Sequence, residues 1–183
     1  MTLHRRKVVA TLLHDRKDLL VIAGLGSTAW DVTAAGDSPL NFPTWGAMGQ
    51  AAMMGLGLAL AQPSRRVLVI TGDGEMLMGL GSLATIGVQR PGNLAIVVID
   101  NERYGETGMQ ATHTAAGVDL EGVARACGLA VTDWESVLVQ DGPTFAVAKV
   151  AAEKIPLALP PREGALLKAR FRRALLGAQA DSI

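Results

Sequence analysis

Two apolar runs in the middle of the chain each end in residues that suit a ligand site. Residues 67–70 are followed by Thr71 and Gly72-Asp73-Gly74, and residues 94–99 are followed by Asp100-Asn101. The helix-length stretch 78–90 lies between the runs, which predicts two parallel strands joined by a helix. Such a unit places both strand ends on the same edge of the sheet. Open α/β sheets bind their ligands at that edge.

The chemistry of the two strand ends predicts a metal site. Asp73 and Asn101 both offer hard oxygen ligands, and the topology brings them to one edge. Mg²⁺ binds through few protein groups of this kind and completes its octahedron with phosphate oxygens and water. The alternative is a plain strand–helix–strand unit with an Asp-Gly turn and an Asn cap.

A Gly-Asp-Gly triplet followed one strand–helix–strand unit later by an Asn resembles the signature of thiamine diphosphate-dependent enzymes. Two further segments carry the resemblance: Trp45-Gly46-Ala47-Met48-Gly49, and residues 101–108. It runs from about Leu19 to the C-terminal helix, and it points to the small β subunits of split 2-oxoacid decarboxylases, the sulfopyruvate and phosphonopyruvate decarboxylase group. The expected fold is α/β with three layers, a mostly parallel central sheet between helices on both faces.

The resemblance also implies the cofactors thiamine diphosphate and Mg²⁺, together with the residues that hold them. The metal ligands would be Asp73, Asn101 and the carbonyl of Arg103. Glycines on both sides of Asp73 would let the backbone approach the diphosphate, and amides at the start of the next helix would receive phosphate oxygens. The anionic side chain of Glu75 is expected to point away from the phosphate. The implied cofactor-binding residues are Gly46, Met48, Gly72, Asp73, Gly74, Glu75, Met76, Asn101, Tyr104 and Gly105.

Gly46 and Met48 are the residues to which the resemblance assigns a catalytic part. In the family, a bulky apolar residue bends the cofactor into a V, so that the cofactor's own 4′-amino group becomes the base. Met48 matches that position, and the carbonyl of Gly46 would accept a hydrogen bond from the amino group. The alternative for Met48 is an ordinary core residue at a helix N-terminus.

One expected cofactor contact has no counterpart in this chain. In the family, a glutamate from a separate pyrimidine-binding domain contacts the ring nitrogen N1′, whereas no glutamate precedes Glu75 here. We therefore expect a separate α subunit to carry that domain and its glutamate. The predicted helix 48–62 and the predicted loop 42–46 are the candidate contact surfaces. Self-association is also expected, and the expected substrate is a small 2-oxoacid.

Composition excludes several other classes of protein. The chain has 183 residues and a formal net charge of zero, which indicates one domain, 1–183, with a C-terminal arm and helix over about 151–183. Balanced charge lacks the basic excess of a nucleic-acid surface, and the most apolar stretch, 48–61, is shorter than the ~20 residues that span a bilayer. The single cysteine, Cys127, fits a reducing cytoplasm.

Other functions stay open on the sequence. Gly24-Leu25-Gly26 imitates a dinucleotide fingerprint, but the loop 41–50 stands where an acidic residue is expected about 20 positions on. Carboligation, as in the acetolactate synthases, and a non-catalytic domain that keeps the fold are further alternatives. Residues 101–118 are predicted to form a long functional loop, in which no role is assigned to Glu106, Thr107, Gln110 or His113.

Overall fold

A computed structural model describes residues 3–181, which form seven α-helices and eight strands. The helices are α1 (Arg5–Leu12), α2 (Ser27–Ala34), α3 (Ala51–Ala61), α4 (Asp73–Met78), α5 (Ser82–Gln89), α6 (Leu120–Ala126) and α7 (Gly164–Leu176). The strands are β1 (Leu20–Ala23), β2 (Asn41–Pro43), β3 (Val67–Gly72), β4 (Leu94–Asp100), β5 (Arg103–Tyr104), β6 (Gln110–Ala111), β7 (Ala130–Val131) and β8 (Thr144–Lys149). Within these described residues, every helix is too short or too polar to cross a membrane.

Six strands form one sheet in the order β2-β1-β3-β4-β8-β7, and every neighbouring pair is parallel. Gly72 of β3 pairs with Ile99 of β4, so these two strands end at the same edge. Both strands are apolar almost throughout because helices cover both faces of a parallel sheet. The predicted strands 67–70 and 94–99 are confirmed, and β4 extends to Asp100.

Helices pack on both faces of this sheet, each set over its own apolar cluster. Leu68 and Ile70 of β3 point to the face covered by α1 and α2. Val67 and Val69 of the same strand point to the other face, which α3, α4, α5, α6 and α7 cover. This alternation follows from the two-residue period of a strand. The predicted three-layer α/β/α fold with a mostly parallel sheet is confirmed.

The predicted helix 78–90 is wrong in its bounds, because the connection between β3 and β4 contains two helices, of which α5 lies within 78–90 and α4 reaches only Met78. α4 begins at Asp73 and ends at Met78, and α5 begins only at Ser82. The chain turns at Gly79, where a Cβ would collide with the backbone carbonyl of Gly49. This close approach of two backbones holds the turn at 46–49 against the end of α4.

Two predicted loops contain regular structure. The loop 42–46 begins inside β2, which sequence patterns did not reveal because the strand is three residues long and forms only through pairing with β1. The loop 101–118 contains the antiparallel hairpin β5–β6 and a 3₁₀ helix, His113–Ala116. The predicted helix 48–62 is shorter, since α3 starts at Ala51.

The strand order reverses beside β1, and this reversal positions the site. β2 lies on one side of β1 and β3 lies on the other. A reversal of this kind opens a crevice at the carboxyl ends of the two central strands, where α/β proteins bind ligands. The connections that follow β1 and β3 both open into this crevice.

Candidate functional site

A cavity of about 150 Å³ lies at the carboxyl ends of β1, β3 and β4. It is lined by segments from five parts of the chain, including α1 through Arg5 and the β1–α2 connection through Leu25 and Ser27. Most residues that the sequence singled out meet there. The predicted site residues lining the cavity are Met48, Gly72, Asp73, Gly74, Glu75, Asn101, Arg103, Tyr104 and Gly105.

Asp73 is the first residue of α4 and is only 2% exposed. Its Oδ2 accepts a hydrogen bond from the hydroxyl of Thr112 at 2.6 Å, and the hydroxyl oxygen of Thr114 lies 3.3 Å from it. Burial raises the pKa of this carboxyl above its usual value, the bond from Thr112 opposes the rise, and the nearby charge of Asp100 adds to it. The surroundings of Asp73 therefore disfavour its negative charge. A bound cation would favour the charged form instead.

Asn101 directly follows β4 and begins a tight turn. Its Oδ1 accepts a hydrogen bond from the amide of Arg103 at 3.0 Å. Glu102, between them, has a positive φ of 61°, a conformation that the asparagine-capped turn supports. The turn keeps both Asn101 and Arg103 at the cavity beside Asp73.

These residues fit a diphosphate held through a hard divalent cation. The carboxylate of Asp73, the amide oxygen of Asn101 and the carbonyl of Arg103 are all oxygen donors, which Mg²⁺ prefers. Among the described residues, a Cβ on Gly72 would meet nothing within 4 Å, so the backbone there is open to a ligand. A Cβ on Gly74 would instead come within 2.5 Å of the Tyr104 ring. Gly72 thus leaves room for a ligand, and Gly74 leaves room for Tyr104.

The carboxyl group of Glu75 lies in the crevice between β1 and β3. Its Oε2 accepts hydrogen bonds from the Leu25 amide at 3.0 Å and from the Thr71 hydroxyl at 2.9 Å. Its Oε1 is buried and makes no hydrogen bond of normal geometry within residues 3–181, although the backbone amides of Gly49 and Ala51 lie near enough to lower the pKa of the group. A Cβ on Gly24 would collide with Oε2, so glycine is what allows the contact. Burial raises the pKa of Glu75, against the opposing bonds from Thr71 and Leu25.

Three other predicted cofactor contacts differ in their placement. Met48 lines the cavity. Gly46 is exposed, has a positive φ of 82° and is outside the cavity lining. The side chain of Met76 is 1% exposed and packs in the apolar cluster under α3, α4 and α5, so it is a core residue.

The hairpin β5–β6 forms one wall of the cavity, and its tip carries the unassigned polar residues. The hydroxyl of Thr107 donates to Oε1 of Gln110 at 2.8 Å. Glu106 lies against Gly26, where a Cβ would come within 2.7 Å of Oε1 of Glu106. Glu106 and Thr107 line the cavity, whereas Gln110 and His113 are exposed outside it.

Sequence reasoning missed the groups that contact Asp73 from behind. Thr112 and Thr114 are buried and lie between Asp73 and Asp100, and Lys149 at the end of β8 pairs with Asp100 at 2.7 Å. The available signal in the sequence for these contacts was a pair of threonines two positions apart, where a loop returns to the edge of the sheet. Their partners come from elements 39 and 14 positions away along the chain, which no local pattern indicates.

The dinucleotide fingerprint is only half present. Gly24-Leu25-Gly26 does connect β1 to α2. The next strand, β2, ends at Pro43 and is followed by Thr44, whose hydroxyl donates to the carbonyl of Ala23 at 3.1 Å. The position at which a nucleotide-binding unit places its ribose-binding carboxylate therefore holds a hydroxyl that is already bonded to the backbone.

In this parallel sheet, a helix begins within Gly72-Asp73-Gly74 at the point where the strand order reverses, and the turn at Asn101 lies beside it. This is the arrangement of a thiamine diphosphate-binding domain. The chain belongs to the family described as thiamine pyrophosphate enzyme, C-terminal TPP binding domain, whose model matches residues 25–156.

Individual relatives place the chain within this family. It is 38% identical to the sulfopyruvate decarboxylase subunit beta of Methanothermobacter thermautotrophicus, over 99% of this chain and 100% of that subunit. It is 42% identical to the phosphonopyruvate decarboxylase of Streptomyces viridochromogenes, over 70% of this chain and 35% of the relative. Hence the chain matches one subunit over its whole length and about a third of a longer relative.

Solved structures agree on the fold. A protein of Mycobacterium smegmatis described as thiamin diphosphate-dependent superposes with a TM-score of 0.71 at 22% identity, over 83% of this chain and 32% of that chain. The benzoylformate decarboxylase of Polynucleobacter necessarius gives 0.68 at 18% identity, over 86% and 35%. At these identities the likeness concerns the fold alone.

Proposed function

We propose that this chain is the β subunit of a thiamine diphosphate- and Mg²⁺-dependent decarboxylase, which converts a small 2-oxoacid such as sulfopyruvate or phosphonopyruvate to an aldehyde. The observation that carries the proposal is the meeting of Asp73 and Asn101 at one cavity, next to the open backbone of Gly72. Two relatives are named as a sulfopyruvate decarboxylase subunit and a phosphonopyruvate decarboxylase, and these names support the proposed class of substrate.

The chain's own residues would hold the cofactor in two places. Asp73, Asn101 and the Arg103 carbonyl bind the metal, and the backbone of residues 72–76 receives the diphosphate at the positive end of α4. Met48 and the Gly46 carbonyl orient the pyrimidine end. The bound cofactor supplies the carbanion chemistry of decarboxylation, and the protein supplies binding, orientation and electrostatics. Tyr104 and the hairpin tip exclude water from the cavity.

A partner subunit completes the site in this proposal. The cavity of about 150 Å³ is smaller than the ~300–1,000 Å³ typical of pockets that enclose a ligand. Residues 1–74 contain no glutamate, and the sulfopyruvate decarboxylase relative is named as a beta subunit. Both observations support a separate α subunit, whose pyrimidine-binding domain would supply the group that contacts N1′. The lone cysteine, Cys127, is unpaired, which supports a cytoplasmic location for the assembly.

The surface offered to the partner is the outer face of α3. This helix contains no polar side chain, and Met53 and Leu60 on its outer face are 36% and 51% exposed. A helix that is apolar on every face is normally buried, which supports contact of this face with another chain. Leu60→Glu should weaken association with the α subunit at least tenfold in a pull-down or sedimentation assay. Leu166→Glu, at a similarly exposed leucine on α7, is the matched control and should leave association unchanged.

Titration of the purified chain with thiamine diphosphate tests the cofactor site. Binding should require Mg²⁺, and Asp73→Asn should abolish the metal-dependent part. Asp119→Asn, a change to a helix-capping carboxylate outside the cavity, is the control. If Asp73→Asn lowers the activity of the enzyme assembled with its partner by less than tenfold, about 1.4 kcal/mol of barrier, the metal assignment is wrong. Absence of binding by the wild-type chain, alone and with its partner, would identify a non-catalytic homologue.

Carboligation is the second candidate. The chain is 27% identical to the acetolactate synthase isozyme 1 large subunit of Escherichia coli, over 67% of this chain and 27% of that protein. The two activities differ in product. Both release CO₂ from the first oxoacid, but decarboxylation ends with an aldehyde, whereas carboligation joins the fragment that remains to the carbonyl carbon of a second oxoacid. Product analysis by NMR with the partner present separates them.

A further inference from the structure

A chain of polar groups runs from Asp73 to the protein surface on the side away from the cavity. Thr112 donates to Oδ2 of Asp73 at 2.6 Å, and Thr114 donates to Oδ1 of Asp100 at 2.9 Å. The two threonine hydroxyl oxygens are 2.9 Å apart. Asp100 then pairs through Oδ2 with Lys149, at 2.7 Å. All of these groups except Lys149 are buried.

Asp100 has the position of a metal ligand but not the freedom of one. It lies next to Asn101 and near Asp73, yet both of its oxygens are engaged. Oδ1 accepts from the Thr114 hydroxyl and from the Glu102 amide at 3.0 Å, and Oδ2 is paired with the ammonium group of Lys149. Because both of its oxygens are already bound, the Asp100 carboxylate holds its neighbours in place and does not face the cation. The side chains of the threonines, by contrast, engage Asp73 through a single oxygen, Oδ2.

We propose that Thr112 and Thr114 are positioning residues that hold the Asp73 carboxylate in its metal-binding orientation, anchored from behind by the Asp100–Lys149 pair. This inference rests on the proposed function, since it concerns the same cation. A hydroxyl has one proton to donate, and the shortest bonds give the proton of Thr112 to Asp73 and that of Thr114 to Asp100. The pair therefore separates two neighbouring carboxylates and fixes the orientation of the one that faces the cavity.

The expected effect lies in metal affinity. Groups that orient a metal ligand without touching the metal typically account for about 10- to 100-fold in affinity or activity. Thr112→Val keeps the shape of the side chain and removes the hydroxyl. With saturating thiamine diphosphate, we expect it to weaken Mn²⁺ binding at least tenfold, measured by the EPR signal of free Mn²⁺. Thr114→Val should act in the same direction, and Thr112→Ser and Thr114→Ser should restore most of the affinity.

Thr144→Val is the matched control. Thr144 is also a fully buried threonine, and its hydroxyl donates to the Val137 carbonyl at 2.8 Å, but it lies at the opposite end of the sheet. Its loss should lower the melting temperature and leave Mn²⁺ affinity unchanged. A purely structural role for Thr112 and Thr114 would produce the same pattern in their variants.

The outcomes separate this inference from the function on which it rests. If the Thr112→Val and Thr114→Val chains fold and bind Mn²⁺ within twofold of the wild-type affinity, the positioning role is wrong and the proposed function stays intact. Failure of the wild-type chain to retain Mn²⁺ with thiamine diphosphate, alone or with its partner, would overturn both. If a valine variant does not fold, Thr112→Ala, which cannot overfill the site, carries the same expectation.

Discussion

Gly55 and Gly57 lie two positions apart on α3 but face different surroundings. A Cβ on Gly55 would collide with Cγ2 of Val69 on β3 and lie 3.3 Å from Cδ1 of Leu94. A Cβ on Gly57 would meet nothing within 4 Å among the described residues. The same substitution by alanine therefore tests whether α3 packs on the sheet in the described register.

The two variants should change stability in opposite directions. Replacing glycine by alanine inside a helix stabilises by about 1 kcal/mol, and Gly57→Ala should gain this amount. At Gly55 the same gain is offset by overpacking, which costs about 1–3 kcal/mol in a filled core. The free energies of unfolding of the two variants should thus differ by about 1–3 kcal/mol. Each kcal/mol corresponds to roughly 2–4 °C in melting temperature for a chain of this size.

Urea and thermal unfolding of the chain without cofactor or partner would measure this difference. Both variants change one glycine of the same helix, so each is the control for the other. Equal stabilisation by Gly55→Ala and Gly57→Ala would mean that the inner face of α3 does not contact β3 as described. Since the outer face of α3 is the proposed partner surface, Gly57→Ala should also be assayed for partner binding.

Three further predictions concern groups in and around the site. Burial raises the pKa of Glu75, so the stability that this group contributes is complete below the ordinary glutamate pKa and is lost as pH rises through its folded value. The free energy of unfolding of Glu75→Gln should therefore match that of wild type near pH 4 and exceed it at pH 8, measured by urea titration. Gly74→Ala should displace the Tyr104 ring and weaken cofactor binding about tenfold in calorimetry, and adding Tyr104→Ala should recover part of the loss; additive losses would contradict the contact. Asp119→Ala removes the cap of α6, where Oδ1 accepts from the Gly122 amide at 2.9 Å, and should cost about 1 kcal/mol in thermal unfolding without altering cofactor affinity.

Sequence patterns predicted the central part of the fold because its signals are local. The runs that became β3 and β4 are apolar and bounded by turn residues, so their type and their direction followed from the chain itself. β2 was missed because its three residues form a strand only by pairing with β1. The end of α4 was missed because the turn at Gly79 depends on close contact with the backbone of Gly49, which is thirty positions away.

The candidate site divides in the same way. The pairing of Gly72-Asp73-Gly74 with Asn101 could be read from the sequence, since each stands at the end of a recognisable strand. The orientation of Glu75 could not, because its carboxyl group is held by Leu25 and Thr71 across the crevice. For Gly46, which is exposed outside the cavity lining, the catalytic role stays a prediction.

The sequence alone determined the family, the sheet edge at which the site lies and the two side chains that most directly predict a metal. It could do so because strand–helix–strand order and residue chemistry are properties of the linear chain. Only the tertiary structure decided what surrounds Asp73. Thr112, Thr114, Asp100 and Lys149 come from a loop and two strands, and the hydrogen bonds among them depend on distances that arise only when these segments fold to one edge of the sheet.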